Sequence, residues 1–584
     1  MFPRVTTVKR GDQTYQYLQI VEAYRRNGRT TQRVVANLGR LDPTRRLAGL
    51  DDLLLSLSKF THRPLLRDDQ IGCRQALPWG PVRLVRHLWD QMQMGDLLGK
   101  LCRSRRYQFE VAETAFVLVA NRLCEPRSEH GLARWLEHTF VCDTQGRRWK
   151  PDWLPAEQIT QQQRVKVKHE QLNRWYRTLD ALLAAKEKIE EALYLRVRDL
   201  FSVKVDLVFY DLTSTYFCRR SPVGKLRRHG HSKDGKPRQV QVLLGVVMAN
   251  GFPIAHHVFA GNRAEKRTLQ EVLADLDRRF GLGQVMVVAD RGLVSADNLE
   301  FLSQSGFRYL LGLPGRRSQE AAAVLEALDP TRWRRVDEEN QVQEIRLPDR
   351  TSRYFVIDSL QRQTYECALR ERSMQRSREG LEKVAAAVRA GRLKDPAKIG
   401  ARAARAVAQH HGHRYYSYEV PGSGQFRFWE DPAKLRAETR HEGKYILKTE
   451  DEAVDASEAV GAYKELDTVE SGFCDLKDVI EMRPVYHQKD ERIEAHIFVA
   501  TLALFLKRSL EHQLAPALPE LSGSEAIAAL RSIGLAELDL NGRTTRLVSG
   551  GGRDARRVIK ALGIADLNPP RSQEHMSKPP EGAM

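Results

Sequence analysis

The spacing of apolar residues along the chain changes near residue 205. Upstream, apolar residues recur every three or four positions, which predicts amphipathic helices with Lys and Arg on their polar faces. This holds for 82–92, 109–123 and 179–197. Downstream, short apolar runs predict strands, and two stretches keep the helical spacing. The predicted strands are 205–210, 239–248, 252–259, 286–289 and 307–313, and the predicted helices are 264–280 and 295–305.

This order of elements is informative about the fold. Three strands, a helix, a strand, a helix and a strand is the order of the ribonuclease-H-like α/β fold. After residue 315 the pattern breaks into short strands at 354–358, 414–420 and 425–430, with a basic helical stretch around 366–410. A block this long is better explained as an inserted domain than as a loop. We therefore predict a ribonuclease-H-like core interrupted by a β-rich insertion.

The two ends of the chain carry different signals. Near the start, 15–24 and 30–38 read as strands flanking Asn27-Gly28, a strong hairpin signal. Near the end, helical pieces lead into a tail, 568–584, that is rich in Pro and polar residues and predicted to be disordered. The predicted domains are a small β unit (1–60), a helical, DNA-binding domain (61–200), the core in two parts (201–314 and 446–515), the insertion (315–445) and a helical C-terminal extension (516–584).

Three acids stand in distinctive positions. Asp211 and Asp290 each follow an apolar run of strand type, and Glu470 lies in a predicted helix, 463–477. Mg²⁺ prefers hard oxygen ligands, so two strand-end carboxylates and a helical glutamate fit a two-metal phosphodiester site. Tyr463 and Lys477 lie seven residues to either side of Glu470 and are predicted to share its helix face. They are candidates for gripping phosphates next to the scissile one.

Other acids fit the pattern less well. Asp206 lies five positions before Asp211 on the same strand, so its side chain is expected on the opposite face. Asp234 and Asp297 fall in a loop and a helix and make poorer ligands. Asp467, one turn before Glu470, is the best substitute for it.

Composition agrees with a polyanionic partner. Lys and Arg number 94 against 75 Asp and Glu, giving a formal net charge of +19 and a pI near 9.6. Such an excess favours nucleic acid, although charge can also serve solubility alone. The basic loop 219–238 is predicted to contact DNA. The arginines of the insertion have two equally good interpretations, as DNA contacts or as a merely solvated helix face. These arginines are Arg370, Arg372, Arg376 and Arg378.

Several classes of protein are disfavoured. The seven cysteines form no C-x-x-C pair, which argues against a zinc site or a disulfide framework and fits a reducing compartment. No run of 18 apolar residues is present, and the first ten residues lack the apolar core of a signal peptide. We expect a cytoplasmic protein without a membrane span.

Taken together, these segments resemble the DDE transposases of bacterial insertion sequences. The resemblance is to the subgroup whose glutamate helix carries Y-x2-R-x3-E-x6-K and whose core is split by a β-rich insertion. Tyr463, Glu470 and Lys477 match the signature, whereas Leu466 stands at its arginine position. The resemblance extends to about residue 512, and four further segments carry it: 231–245, 261–269, 289–299 and 483–498.

The resemblance implies a mechanism and partners. Asp211, Asp290 and Glu470 would be both the catalytic residues and the ligands of two Mg²⁺ ions, with Mn²⁺ as a substitute. The resemblance and the basic loop together suggest a set of residues that contact DNA. These are Tyr463, Lys477, Arg227, Arg228, Lys233 and Arg291. Proteins of this kind bind the terminal inverted repeats of their element as double-stranded DNA, cut them and join them to target DNA, usually as a homodimer, at the bacterial nucleoid.

Two other functions remain open at this stage. A metal-dependent nuclease of the same fold would share the acids without recognising repeat ends. A catalytically inactive DNA-binding protein descended from a transposase would have no need of all three acids.

Overall fold

The computed structural model describes most of the chain. The described residues are 1–26, 29–42, 47, 49–58, 60–61, 71–103, 107, 109–149, 161–201, 207–218, 221–293, 295–313, 318–348, 350–540 and 543–570. Asn27-Gly28, Asp206 and most of the predicted C-terminal tail lie outside them, as do the side chains of Arg291 and Asp467. Among the described residues, no helix is long and apolar enough to cross a membrane.

The regular elements are numbered in chain order. The strands are β1 (Phe2–Arg10), β2 (Gln13–Arg26), β3 (Arg29–Arg40), β4 (Ile71–Pro78), β5 (Leu207–Tyr216), β6 (Gln241–Ala249), β7 (Phe252–Ala260), β8 (Met286–Ala289), β9 (Arg308–Gly312), β10 (Arg334–Arg335), β11 (Asn340–Arg346), β12 (Arg353–Ser359), β13 (Tyr416–Glu419), β14 (Arg427–Glu430), β15 (Lys444–Thr449), β16 (Gly534–Leu540) and β17 (Arg543–Val548). The helices are α1 (Leu50–Ser58), α2 (Gly80–Gln91), α3 (Met94–Leu101), α4 (Val111–Cys124), α5 (Leu132–His138), α6 (Gln161–Ala184), α7 (Lys186–Phe201), α8 (Leu269–Phe280), α9 (Ala296–Ser305), α10 (Gln319–Glu326), α11 (Leu360–Arg389), α12 (Pro396–Gln409), α13 (Pro432–Thr439), α14 (Ala456–Cys474), α15 (Asp490–Leu514), α16 (Gly523–Ala529) and α17 (Arg553–Ala561).

The chain divides into two compact units. The first comprises Met1–Leu77 and Gly534–Ser549, and the second comprises Pro78–Ile533 and the residues from Gly550 onward. In the first unit, β1, β2 and β3 form an antiparallel sheet in which Arg26 pairs with Arg29. This pairing agrees with the predicted hairpin. A second three-stranded sheet in the order β17-β16-β4 completes the unit, and an ion pair of 2.6 Å joins Arg74 on β4 to Asp539 on β16.

The second unit is built on a nine-stranded sheet. Its order is β10-β11-β12-β15-β9-β8-β5-β6-β7. Strands β5, β6 and β7 are consecutive antiparallel neighbours, whereas β8 lies parallel to β5 and β9 parallel to β8. The predicted order of strands and helices from β5 to β9 is confirmed. The ribonuclease-H-like arrangement therefore occupies one half of the sheet.

The inserted segment enlarges this sheet. Strand β15 pairs antiparallel with β9, the last strand of the ribonuclease-H-like half. Strands β12 and β11 then continue the sheet outward from β15. The segment also contains the 30-residue helix α11, the 14-residue helix α12 and a separate hairpin of β13 and β14. Helices account for more of the insertion than strands do, so its description as β-rich needs correction to mixed α and β. The predicted short strands are present, and the predicted helical stretch around 366–410 is divided between α11, which begins six residues earlier, and α12.

Helices cover both faces of the sheet. Alternation along β5 sends Val208, Tyr210 and Leu212 into a core shared with α8 and α9. The odd-numbered side chains point to the other face, where α14 packs against β5 and β8. Helix α15 lies beside β7 and also packs against α4 and α6. Helix α4 is buried almost throughout, so this helix is neither a DNA-gripping nor a solvated helix.

The C-terminal extension differs from expectation. Helical pieces are predicted after residue 516, and α16 and α17 are present, but β16 and β17 form an antiparallel hairpin between them. These strands escape the sequence pattern because β16 completes its sheet with β4, more than 450 residues earlier in the chain. A signal is nevertheless present in the sequence. Asn541-Gly542 between two runs of alternating polarity is the same hairpin dipeptide as Asn27-Gly28.

Candidate active site

Two of the predicted acids lie side by side on neighbouring strands. Asp290 directly follows β8, but Asp211 lies in the middle of β5, which continues to Tyr216, so the prediction of a strand-end position is wrong for Asp211. Tyr210 on β5 is the parallel partner of Ala289 on β8, and Asp211 and Asp290 are the residues that follow this pair. The parallel pairing of β5 with β8 ends at this pair, so the two acids are neighbours although β5 continues beyond Asp211. Asp211 is an odd-numbered residue of β5 and therefore belongs to the face that α14 covers.

The third acid reaches the same place from the helix. Asp455 caps the start of α14 with a hydrogen bond from the Glu458 backbone N–H at 2.8 Å. Three turns later the buried side chains of Leu466, Val469 and Phe473 form the apolar side of the helix. Glu470 remains exposed at the end of the helix that packs on β5 and β8. The structure thus brings Asp211, Asp290 and Glu470 into one neighbourhood.

The three acids influence one another electrostatically. Burial raises the pKa of Asp211 to about 6, and the negative charges of Asp290 and Glu470 add to this effect. The Lys233 ammonium and the hydrogen bond from the Leu212 backbone N–H act in the opposite direction. Like charges held this close need a cation to offset their repulsion.

These residues fit divalent metal ions. All three side chains are carboxylates, which are the donors that Mg²⁺ and Mn²⁺ prefer. Asp211, Asp290 and Glu470 would hold such ions.

The helix face predicted for Lys477 needs correction. Tyr463 and Glu470 both lie on α14, but α14 ends at Cys474, and Lys477 falls in a π-helical turn, Asp475–Val479. A π-helical turn is wider than an α-helical turn, so heptad spacing does not carry across it. The Lys477 ammonium points instead to Asp234, with Nζ 2.8 Å from Oδ1.

The basic loop before β6 is firmly attached to the core. At its base, Gly230 approaches Gly261 so closely that a Cβ on Gly230 would lie 1.9 Å from the Gly261 carbonyl oxygen. Only glycine fits there. Further along, Lys233 donates from Nζ to the Leu212 carbonyl at 2.7 Å and forms an ion pair of 3.2 Å with Glu265. Lys233 therefore lies beside Asp211 rather than extending into solvent.

The loop arginines have different environments. Arg227 is buried, and its guanidinium donates to the carbonyls of Val223 and Gln488 at 3.2 and 2.9 Å. Arg228 is half-buried and donates to the Gly224 carbonyl at 2.9 Å. In this conformation Arg227 is committed to structural hydrogen bonds and has no path to a phosphate.

Tyr463 is held by residues of the insertion that the sequence did not point to. Its ring stacks on Tyr445 of β15, with the centroids 4.4 Å apart and the planes 22° from parallel. Burial raises the pKa of the Tyr463 hydroxyl, as does the charge of Asp290, whereas Arg362 of α11 acts against this through its charge and a hydrogen bond. No spacing rule links Arg362 to Tyr463, because they lie 101 positions apart.

A large cleft opens beside these residues. Its volume is about 910 Å³, and Asp290 and Tyr463 form one part of its wall. The insertion supplies much of the remainder, including Arg362, Arg370, Arg372, Arg376, His410 and Arg414. Arg370 is paired with Glu442 at 2.6 Å. Arg372 and Arg376, one helical turn apart, are exposed and form no ion pair within the described part of the chain.

Comparison with known families decides the assignment. Residues 206–506, just over half of the 584-residue chain, match the family model for the transposase DDE domain. The chain belongs to the DDE transposases. Residues 3–69 of this transposase also match the N-terminal domain of IS1634 family transposases. The expectation of a DNA transposase with a ribonuclease-H-like core is thereby confirmed, and DDE transposases use divalent metal ions.

Other comparisons are more distant. No curated protein matches the transposase. Among solved structures, a piggyBac transposase synaptic complex with hairpin DNA is 9% identical, with a TM-score of 0.33 over 78% of this chain and 82% of that one. A Mos1 transposase paired-end complex with the left transposon end is 14% identical, with a TM-score of 0.13 over 35% of this chain and 59% of that one.

A second cluster of titratable groups lies buried in the transposase. A carboxylate oxygen of Glu129 and one ring nitrogen each of His487 and His496 lie within 4.8 Å of one another. Arg122 is the cation of this cluster, with Nη2 at 3.2 Å from His496 Nδ1 and 3.7 Å from Glu129 Oε1. Burial and Arg122 lower the pKa of His496 to about 4, so this histidine is neutral at pH 7. A guanidinium already supplies the positive charge that a metal ion would bring, and we interpret the cluster as structural.

Proposed function

We propose that this transposase binds the terminal inverted repeats of an insertion sequence and catalyses metal-dependent strand cleavage and strand transfer. The observation that carries the proposal is the convergence of Asp211, Asp290 and Glu470 from two parallel strands and the helix packed on them. The family match supplies the reaction class, and the acids supply a place for it.

In this proposal the three acids hold two Mg²⁺ ions, and Mn²⁺ can substitute for Mg²⁺. When bound, the ions would activate the attacking oxygen and neutralise charge on the departing one. The protein's own contribution is positioning and charge. Lys233 holds the loop against β5 and partly offsets the negative charge around Asp211. Arg362 and Tyr445 orient Tyr463 beside Asp290.

The proposed DNA contacts come from the glutamate helix and the turn after it, from the basic loop and from the residue that follows Asp290. Tyr463 and Lys477 are proposed to contact phosphates close to the cut, and Arg228 and Arg291 phosphates farther away. Lys233 acts on DNA indirectly, through Asp211, and Arg227 supports the loop. The partners are double-stranded repeat ends and target DNA, and a homodimer would hold two ends together. The helical region 61–200 would contribute to binding, and a chromosomal DNA substrate places the reaction at the bacterial nucleoid.

The cleft arginines provide a test of the DNA path. Arg372→Gln and Arg376→Gln should each weaken binding of repeat-end DNA, because each variant loses one phosphate contact. The slope of log affinity against log salt should fall by about 1 per variant. Fluorescence anisotropy over a range of salt concentrations measures this.

A control lies on the same helix. Arg378 pairs with Glu382 at 3.2 Å and is not part of the cleft wall, so Arg378→Gln should leave the slope unchanged. Equal slopes for all three variants and the wild type would mean that DNA does not follow the cleft.

Mapping of reaction products tests the proposed function as a whole. A supercoiled plasmid carrying an element with its own repeat ends is incubated with the transposase, a target plasmid and Mg²⁺, and the junctions are sequenced. We expect cuts at the repeat boundary and 3′ ends joined to target DNA. Cuts without regard to the repeats would favour a nuclease of the same fold. Binding of the repeats without any cuts would favour an inactive DNA-binding protein.

A further inference from the structure

Asp234 occupies an unusual position in the basic loop. It lies between Lys233 and Gly235, in a stretch that is otherwise largely exposed, yet its side chain is only 2% exposed. One oxygen, Oδ1, accepts from both Lys477 Nζ at 2.8 Å and Arg483 Nη1 at 2.5 Å. The other oxygen, Oδ2, is buried without a hydrogen-bond partner in the described part of the structure.

The two cations follow the glutamate helix directly. Lys477 belongs to the π-helical turn after α14, and Arg483 lies six residues further on. Their side chains are 12% and 23% exposed, so both are largely enclosed but retain access to solvent. Arg483 also donates from Nη2 to the exposed Asp478 at 2.6 Å. Asp234 is thus the buried carboxylate of this group.

Neighbouring residues of the loop are attached to opposite parts of the site. Lys233 binds the Leu212 carbonyl next to Asp211, and its backbone N–H donates to Ser214 Oγ at 3.0 Å, whereas Asp234 binds the segment that follows Glu470. The dipeptide therefore connects the strand of the first acid with the helix of the third. Loss of either attachment would let the two parts move independently.

The charges of this group balance only when the exposed carboxylate of Asp478 is counted with that of Asp234. One carboxylate, on Asp234, faces two cations, on Lys477 and Arg483. A buried carboxylate is stable only when it is paired, which explains its two partners. Lys477 follows Glu470 of the proposed metal site by seven residues, and a polynucleotide bound there presents a second phosphate one nucleotide from the scissile one. Ammonium and guanidinium groups are well suited to bind it.

We propose that Asp234 is a positioning residue that holds Lys477 and Arg483 as an anchor for the DNA phosphate adjacent to the cut. This inference rests on the proposed function. Asp234 does not touch DNA. It fixes where the two cations stand relative to Glu470, and so where the scissile phosphate lies relative to the three acids.

Asp234→Asn tests the proposal because it keeps the size of the side chain and removes its charge. Binding of repeat-end DNA should change by less than about threefold, since the cations and their charges remain. Single-turnover cleavage should fall at least tenfold, because a displacement of about 1 Å can cost about 10²-fold in rate. Asp478→Asn removes the exposed partner of Arg483 and should cleave at the wild-type rate.

A double variant separates positioning from a merely structural role. Lys477→Met leaves Asp234 paired with Arg483, so the fold is retained even if Asp234→Asn unfolds. If Asp234 acts through Lys477 and Arg483, the loss of rate in Asp234→Asn/Lys477→Met should be smaller than the product of the losses in the two single variants, because Lys477→Met already includes part of the effect of Asp234→Asn. Losses that multiply, or wild-type cleavage by Lys477→Met, would overturn the proposal.

The outcomes also distinguish failure of this inference from failure of the proposed transposase function. Cleavage by the wild type and by Asp234→Asn at the same rate would overturn the role of Asp234 alone. Failure of the wild type to cut its own repeat ends would overturn the proposed function and this inference with it.

Discussion

Asp290→Asn is expected to lower strand cleavage at a repeat end by about 10³-fold or more while leaving DNA binding within about threefold. Asp290 follows β8 directly and stands next to Asp211 across the parallel strand pair. Replacing a carboxylate ligand by an amide removes a charge from the metal site, and a loss of about 4 kcal/mol in transition-state stabilisation corresponds to about 10³-fold in rate. Binding depends on many phosphate contacts elsewhere, so it should survive.

A nearby acid serves as the control. Asp297 lies in the first turn of α9, seven residues after Asp290, and is exposed. Asp297→Asn should cleave like the wild type. The measurement is single-turnover cleavage of end-labelled DNA, with binding followed by gel shift in the same buffer. A cleavage rate for Asp290→Asn within tenfold of the wild-type rate would show that Asp290 is not a catalytic residue.

The largest effect on stability is expected away from the acids, at Glu129. Contacts with His487 and His496 hold the pKa of Glu129 well below its usual range, although burial alone would raise it. Its carboxylate is the counter-charge of Arg122, and both side chains are 7% exposed. Glu129→Gln would remove the carboxylate that forms the buried ion pair with the Arg122 guanidinium. Breaking a buried ion pair in this way costs about 3–5 kcal/mol.

Urea unfolding followed by tryptophan fluorescence measures this cost. The ion pair between Glu125 and Arg127, four residues from Glu129 along the chain, provides the control, because its side chains are 46% and 55% exposed. Glu125→Gln should change the free energy of unfolding by less than about 1 kcal/mol. A loss below about 1 kcal/mol for Glu129→Gln as well would contradict the assignment of Arg122 and Glu129 as a mutually dependent pair.

The catalytic core is predictable because its signals are local. Each core strand begins as a short apolar run, and both acids stand where such a run ends. This places Asp290 correctly after β8, but β5 continues through Asp211 to Tyr216, because its later residues pair with β6. The α14 helix with Glu470 follows from its spacing. Helix periodicity does not reveal the π-helical turn at Lys477, since one added residue per turn leaves no clear trace in an apolar pattern.

The residues that hold Tyr463 and Lys477 in place could not be predicted from the sequence, for a physical reason. Arg362 reaches Tyr463 across about a hundred residues, and Asp234 reaches Lys477 across more than two hundred. In both cases a charged residue in an otherwise exposed segment turns inward to meet a partner that no spacing rule connects to it. The basic loop is expected from its composition to present its charges to DNA, but Lys233 and Arg227 use theirs on backbone carbonyls.

The central claim is that Glu470 completes a metal-dependent centre with Asp211 and Asp290. Single-turnover strand cleavage in Mg²⁺ on labelled DNA containing the element's own terminal repeat tests it most directly, with Glu470→Gln beside the wild type and Glu465→Gln as the exposed control on the same helix. We predict cuts at the repeat boundary by the wild type and by Glu465→Gln, and binding without cuts by Glu470→Gln. Cleavage by Glu470→Gln at the wild-type rate would contradict the account.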